Sequence, residues 1–138
     1  MGDDRQSRRL PMGTRVALAG RIWWWFAIVG LHLRRESLPR LVARLGRPAN
    51  RRARRIPPQQ LGRYVVRRLS VGPLHPTCLV NALVLYRLLH EQGDPAELVI
   101  GLPADAIHHQ AHAWVELDGL DVGPPPGRGA HVGMARFA

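Results

Sequence analysis

The 138-residue sequence predicts an α+β fold, in which the helices of the first half precede a further helix and an antiparallel sheet. Apolar residues recur at helical spacing up to Leu69, and again from Cys78 to His90. The later segments change to a period of two, and Asp118-Gly119 between two of them is a strong signal for a two-residue hairpin. A hydrophobic fraction of 46% excludes wholesale disorder.

Charge divides the chain into two regions. Residues 1–70 carry seventeen arginines and three carboxylates, a net charge of +14, whereas residues 71–138 carry three arginines and seven carboxylates, a net charge of −4. We therefore predict an Arg-rich helical region over 1–70 and a second domain over 71–138. The single cysteine excludes a disulfide framework and favours a reducing compartment, the cytoplasm.

The first predicted helix contains the charge-free run Ile22–Leu33, which has only twelve residues. A helix needs about 20 apolar residues to cross a bilayer, so we expect neither a spanning helix nor a secretory signal. Trp23, Trp24 and Trp25 point in three directions around this helix, so at most two of them can face a core. The remaining one either rims the core or forms a docking surface for a partner or, peripherally, for a membrane.

Two short amphipathic helices are predicted next, from Leu38 to Leu45 and from Leu61 to Leu69. The linker between them, 51–55, contains four arginines that could grip phosphates. A solvated turn is the simpler interpretation, because no aromatic residues interleave with these arginines and no nucleic-acid-binding module is present. We therefore expect no nucleic acid partner.

Cys78 opens the helix of the second domain. The breaker-rich segment before it and Thr77, a good N-cap residue, predict that the helix begins here, and Gly93 ends it. Unpaired backbone N–H groups and the helix dipole favour a thiolate at such a position, and hence a nucleophile. The competing interpretation is a small core residue on a leucine-rich helix.

The strand around 110–117 places His112, Trp114 and Glu116 on one face. The hairpin turn predicts that Leu117 pairs with Leu120, that Asp121 pairs with Glu116, and that residue 125 lies opposite His112. His108 and His109 point apart on an extended chain and have no neighbouring acid, so we expect no metal ion and no cofactor.

These features together resemble the transglutaminase-like leader peptidases of lasso-peptide biosynthesis, in their short stand-alone form. The resemblance covers about residues 72–125, and the residues that carry it are Cys78-Leu79, Ala82-Leu83, Leu88-Leu89, Gly93, the strand 99–101, the run 111–116 and Asp118-Gly119. It implies a papain-related cysteine peptidase core with Cys78 as nucleophile, His112 as general base and Trp114 in substrate binding. It also implies three partners, namely the leader of a precursor peptide, a leader-recognition protein and an ATP-dependent lasso cyclase.

The third residue of the expected catalytic triad does not match the pattern of that family. The orienting acid of the family falls at Pro124 in this sequence, and Asp121 is the remaining candidate, although it lies about 13 Å along the hairpin from His112. Three alternatives therefore stay open. They are a catalytically degenerate scaffold that binds the leader or a partner, a transglutaminase or acyltransferase that uses the same cysteine and histidine, and a nucleic-acid binder favoured by charge alone.

Overall fold

The computed structural model describes residues 11–47, 56–69, 78–103, 112–123 and 131–137. Four helices are followed by four strands, and the predicted α+β fold is confirmed. The helices are α1 (Met12–Leu33), α2 (Leu38–Leu45), α3 (Pro58–Leu69) and α4 (Cys78–Glu91). The strands are β1 (Glu97–Pro103), β2 (His112–Leu117), β3 (Leu120–Gly123) and β4 (His131–Phe137), and they form an antiparallel sheet in the order β3-β2-β1-β4.

The strand β4 was not predicted from the sequence. Residues 131–137 pair with β1 along its length, with a shift in register between Ile100 and Gly101. The glycines around this segment hide its alternation, because glycine has no side chain to mark a face. The sheet consequently has β4 at one edge and β3 at the other.

The helix α4 lies at the centre of the molecule and packs against α1, α2, α3, β1 and β2. The helix carries apolar residues on all its sides, which is typical of a buried helix rather than an amphipathic one. One hydrophobic cluster contains residues from both predicted regions, from Leu18 on α1 to Val122 on β3. The basic helices and the sheet therefore share a single core.

Arg87 of α4 contacts both α1 and the end of α2 beside this core. Its guanidinium donates to the carbonyl oxygens of Leu45 at 2.9 Å and Arg47 at 2.8 Å, and it lies over the Trp25 ring at 4.9 Å. It also pairs at 3.3 Å with Glu91, whose other carboxylate oxygen pairs with Arg21 of α1. These contacts hold α1 and the end of α2 against α4.

The helix α1 is longer than the charge-free run on which the sequence prediction relied. By length and composition alone it could cross a membrane. Leu18, Ile22 and Val29 are nevertheless buried in the core. The prediction that at most two of the three tryptophans can face the core is confirmed, because Trp24 is 64% exposed and Trp23 is 36% exposed. Trp25 is half-buried beneath Arg87 and belongs to the packed side of the helix.

The β2–β3 hairpin has the predicted turn. Asp118 and Gly119 both have positive φ angles, 53° and 80°, as a two-residue turn of this kind requires. The pairs Leu117 with Leu120 and Glu116 with Asp121 are confirmed. Beyond them the predicted register is wrong by one residue, because a β-bulge shifts the pairing and Val115 lies opposite Gly123.

Candidate active site

Cys78 is the first residue of α4, as predicted, and its free thiol is partly exposed. The N–H groups of the first helical turn have no acceptor within the helix, so they can stabilise a thiolate or bind an oxyanion that forms beside it. Thr77, the predicted N-cap, lies outside the described residues.

His112 is the first residue of β2, where it pairs with Gly101 of β1, and its side chain is buried. Its ring stacks on the Trp114 indole, with 6.0 Å between ring centroids and 22° between planes. Trp114 is only 1% exposed, and its Nε1 donates to Glu116 at 2.7 Å. A role for Trp114 in substrate binding stays a prediction. In the structure its ring contacts the imidazole of His112.

The Trp114–Glu116 pair is anchored in turn by a strand that the sequence prediction missed. Arg136 on β4 pairs with Glu116 and Glu97, each at 3.3 Å. The hydrogen bond from Arg136 to Glu116, reinforced by the charge of that carboxylate, raises the pKa of the Arg136 guanidinium. A row of contacts thus runs from β4 through Glu116 and Trp114 to the ring of His112.

The connection after α4 places Cys78 and His112 at the same end of the molecule. Five residues join α4 to β1, and the hydrogen bond from Asp94 N to Leu89 O, 2.9 Å long, keeps this link tight. Because α4 packs on the sheet and the link is short, we infer that β1 runs back along α4 towards the start of that helix. His112 pairs with Gly101 in the last part of β1, so it belongs to the end where α4 begins.

The two faces of β2 have different surroundings. Ala113, Val115 and Leu117 join the core that contains the helices, and alternation puts His112, Trp114 and Glu116 on the opposite face. A contact between the Cys78 thiol and the imidazole would consequently form around the end of the sheet. Both residues are the first of their elements, which is the position such a contact needs.

Asp121 lies opposite Glu116, as the hairpin predicts, and four strand positions separate Glu116 from His112. This spacing corresponds to about 13 Å along the sheet. The Oδ1 of Asp121 accepts a hydrogen bond from the backbone N–H of Gly123 at 2.8 Å, which holds the bulged end of β3. Pro124, at the position of the expected acid, lies outside the described residues, as do His108 and His109.

Asn81 is a further polar residue near Cys78 that the sequence prediction did not select. It lies one turn after Cys78 on α4 and is 8% exposed. Its side-chain oxygen is buried and makes no hydrogen bond to any described residue. A polar residue three positions after the cysteine, in an otherwise apolar helix, was the available signal.

The comparison with protein families agrees with this architecture. The Transglutaminase-like superfamily matches residues 16–132, from the first turns of α1 into β4, and the chain belongs to that superfamily. The match extends the resemblance found in 72–125 to the basic helices, in keeping with the shared core. Cysteine peptidases and acyltransferases both occur in the superfamily. No curated protein and no solved structure matches the chain significantly.

Proposed function

We propose that the protein is a cysteine peptidase that removes the leader from a ribosomally made lasso-peptide precursor in the cytoplasm. The observation that carries the proposal is the placement of Cys78 and His112. In a transglutaminase-like chain, the only cysteine begins the central helix and His112 begins β2. The order of the elements supports placing both residues at one end of the sheet.

The proposed reaction needs only these two side chains and backbone N–H groups. The Cys78 thiolate attacks the carbonyl carbon of the peptide bond between leader and core, and the N–H groups at the start of α4 stabilise the oxyanion. The C–N bond then breaks as the protonated His112 donates its proton to the departing amine. Water, deprotonated by His112, attacks the thioester and releases the leader with a new carboxylate.

The row of contacts behind His112 supplies part of what an orienting acid would otherwise provide. A third member chiefly fixes the tautomer and the orientation of the imidazole. Trp114 stacks on the ring and is itself fixed by Glu116, so the orientation of the ring is constrained from one side. The mechanism therefore proceeds with a dyad, and Asp121 stays at the other end of the hairpin.

The sole cysteine makes this proposal directly testable. Iodoacetamide alkylation can be followed by intact mass in the wild type and in His112→Ala, and we expect the wild type to react on the order of tenfold faster at neutral pH. In parallel, Cys78→Ala and Cys78→Ser should leave a precursor peptide uncut while melting within a few degrees of the wild type. Equal alkylation rates, or cleavage by folded Cys78→Ala, would contradict the peptidase proposal.

Two other functions have specific support. A silent scaffold that binds the leader is favoured by the position of Asp121, which bonds to Gly123 rather than lying beside His112. In that case His112→Ala would not change the alkylation rate of Cys78, and the precursor would bind uncut.

Acyl transfer would use the same residues, and added hydroxylamine would then yield a hydroxamate on the product in place of the free carboxylate.

The proposal carries the partners of such a peptidase: the leader of the precursor, a leader-recognition protein and the lasso cyclase. Contact with a partner or a membrane is assigned to the outer side of α1, where Trp23 and Trp24 are exposed. Trp25 packs inward beneath Arg87 and is left out of that surface. The arginines of 51–55 lie outside the described residues.

A further inference from the structure

A cleft of about 610 Å³ lies between α3 and the edge strand β3. Arg63 and Arg67, one helical turn apart, line it from α3, and Asp121 and Gly123 line it from β3. Its volume is in the range of sites that bind small ligands or peptide segments. The two elements can approach this closely because Gly62 has no side chain: a Cβ there would lie 2.0 Å from the carbonyl oxygen of Val122.

The two arginines of this cleft differ from the arginines that form ion pairs. Four arginines form ion pairs with carboxylates among the described residues, and they are Arg21, Arg44, Arg87 and Arg136. Within the described part of the chain, Arg63 donates only to the backbone carbonyl of Gln59, at 3.4 Å, and Arg67 makes no ion pair. Both residues are exposed, and an anionic partner would displace no ion pair with any residue that the structure describes.

A second cavity of about 150 Å³ adjoins the first, and Arg63, Arg67 and Tyr64 line it. Arg15 donates to the Tyr64 hydroxyl at 2.8 Å, and Arg68 lies 5.5 Å from the centre of its ring. Burial raises the pKa of Tyr64, but the hydrogen bonds and charges of Arg15 and Arg68 outweigh this and lower it overall. Arg63 and Arg67 give the larger cleft a net positive charge against the one carboxylate in its lining, Asp121.

We infer that this cleft, between Arg63 and Arg67 of α3 and the edge strand β3, binds an acidic segment of the peptide substrate. The inference rests on the proposed peptidase function. Guanidinium groups bind carboxylates through paired hydrogen bonds, and the two arginines at i and i+4 can engage two acidic side chains. Asp121 shows how far the cleft lies from the candidate active site, because this residue is about 13 Å along the hairpin from the level of His112. An extended peptide covers that distance in about four residues.

A peptide fits this cleft better than a nucleic acid does. Two guanidinium groups line it from α3 with the apolar Val66 beside them. The nearby aromatic residue, Tyr64, lines the smaller cavity, where Arg68 lies over its ring. Binding of single-stranded nucleic acid relies on aromatic side chains interleaved with a longer basic track. The binding test therefore includes a single-stranded nucleic acid for comparison.

The test measures binding without turnover. A fluorescein-labelled hexapeptide with three glutamates is titrated into Cys78→Ala, followed by anisotropy, beside its glutamine counterpart and a single-stranded hexanucleotide. We expect Arg63→Gln/Arg67→Gln to weaken binding of the glutamate peptide on the order of tenfold, and the glutamine peptide to bind poorly. Arg34→Gln/Arg35→Gln removes the same charge from the exposed end of α1 and should weaken binding less than about twofold, which salt screening reduces further.

The outcomes separate this inference from the proposed function. Equal weakening by both double variants, with unchanged melting temperatures, would overturn the cleft as a site and leave only the overall charge. Tighter binding of the hexanucleotide through the same two arginines would overturn the peptide assignment. If the cleft binds the glutamate peptide as expected but folded Cys78→Ala still cleaves precursor, the peptidase proposal fails while the binding site stands. In the active enzyme, Arg63→Gln/Arg67→Gln should raise KM and leave kcat nearly unchanged.

Discussion

The helices α1 and α4 are both long and apolar, yet they have opposite surroundings. Nine of the fourteen residues of α4 are buried, against three of the twenty-two residues of α1. Helices and sheet enclose α4 from several sides, whereas α1 packs against the other helices and exposes Val16, Trp24 and Leu31. Apolar sequence is thus used in α4 to build the core that positions Cys78, and in α1 to build a surface.

The outer face of α1 shows how far this difference goes. Residues that recur at helical spacing from Met12 to Leu31 are all exposed, and none is charged; they are Met12, Val16, Gly20, Trp23, Ala27 and Leu31. The face extends over roughly 30 Å. The same region is basic, because the described part of 11–69 contains ten arginines and one carboxylate, Glu36. An uncharged face with basic surroundings is typical of a surface that meets another body.

The largest effect that tests this contrast is on stability. Leu83 on α4 is fully buried, whereas Leu31 on α1 is 51% exposed. We expect Leu83→Ala to lower the free energy of unfolding by about 2–5 kcal/mol, because it leaves a cavity in the core. Leu31→Ala should change it by less than about 0.5 kcal/mol. Chemical denaturation of both variants measures the difference, and comparable losses would show that α1 is as well covered as α4.

Glycine-to-alanine substitutions at two positions should change stability in opposite directions. A Cβ at Gly62 would meet the Val122 carbonyl oxygen, which cannot move without shifting β3, so Gly62→Ala should cost about 1–3 kcal/mol. A Cβ at Gly20 on the open face of α1 would have nothing within 4 Å. Gly20→Ala should therefore stabilise the protein by roughly 0.5–1 kcal/mol through helix propensity. Thermal melting distinguishes the two signs, and a neutral Gly62→Ala would mean that α3 and β3 are not tightly apposed.

The elements predictable from sequence are those with a local signal. Helix periodicity, proline and glycine boundaries and the Asp118-Gly119 turn lead to α1 through α4 and to the hairpin. The bulge that pairs Val115 with Gly123 has no such signal, because an extra residue in a strand is decided by packing with its neighbours. The register near His112 could not be derived from the turn alone for that reason.

The candidate site follows the same rule. Cys78 was identifiable because the breakers before it mark the start of a helix, and His112 because it lies on a strand with clear alternation. Arg136 was missed because its role depends on β4 lying beside β1, a pairing between residues almost forty positions apart. The enclosure of Trp114 was equally hidden, since alternation shows which face a side chain takes and not what covers that face.

A buried tyrosine on α4 gives a smaller, pH-dependent effect. The Tyr86 hydroxyl is buried and makes no hydrogen bond to any described residue, and burial raises the pKa of this phenol above its usual value of 10.0. Because the folded protein favours the neutral form, the stability due to Tyr86 is fully present below pH 10 and is lost as the pH rises above it. Tyr86→Phe removes the unpaired hydroxyl and should raise stability by about 1 kcal/mol at pH 7.

The pH profile provides the check on Tyr86. We expect the wild type to lose more stability than Tyr86→Phe between pH 9 and pH 11, with urea midpoints compared at each pH. Tyr64→Phe is the matched control, because the Tyr64 pKa is shifted downwards and its loss cannot reproduce that trend. Parallel profiles for wild type and Tyr86→Phe would show that the hydroxyl finds a partner.

The smallest effect on folding, and the most direct test of the surface, concerns Trp24. We expect the outer face of α1 to bind vesicles that contain phosphatidylserine and to bind neutral phosphatidylcholine vesicles weakly, because the apolar face supplies the contact and the arginines the attraction. Trp24→Ser should reduce co-sedimentation severalfold and change stability by less than about 0.5 kcal/mol. Leu120→Ser, which alters a side chain 62% exposed on β3, is the control and should bind like wild type. If neither vesicle binds and light scattering shows a dimer that Trp24→Ser dissociates, a second copy of the chain covers α1 instead.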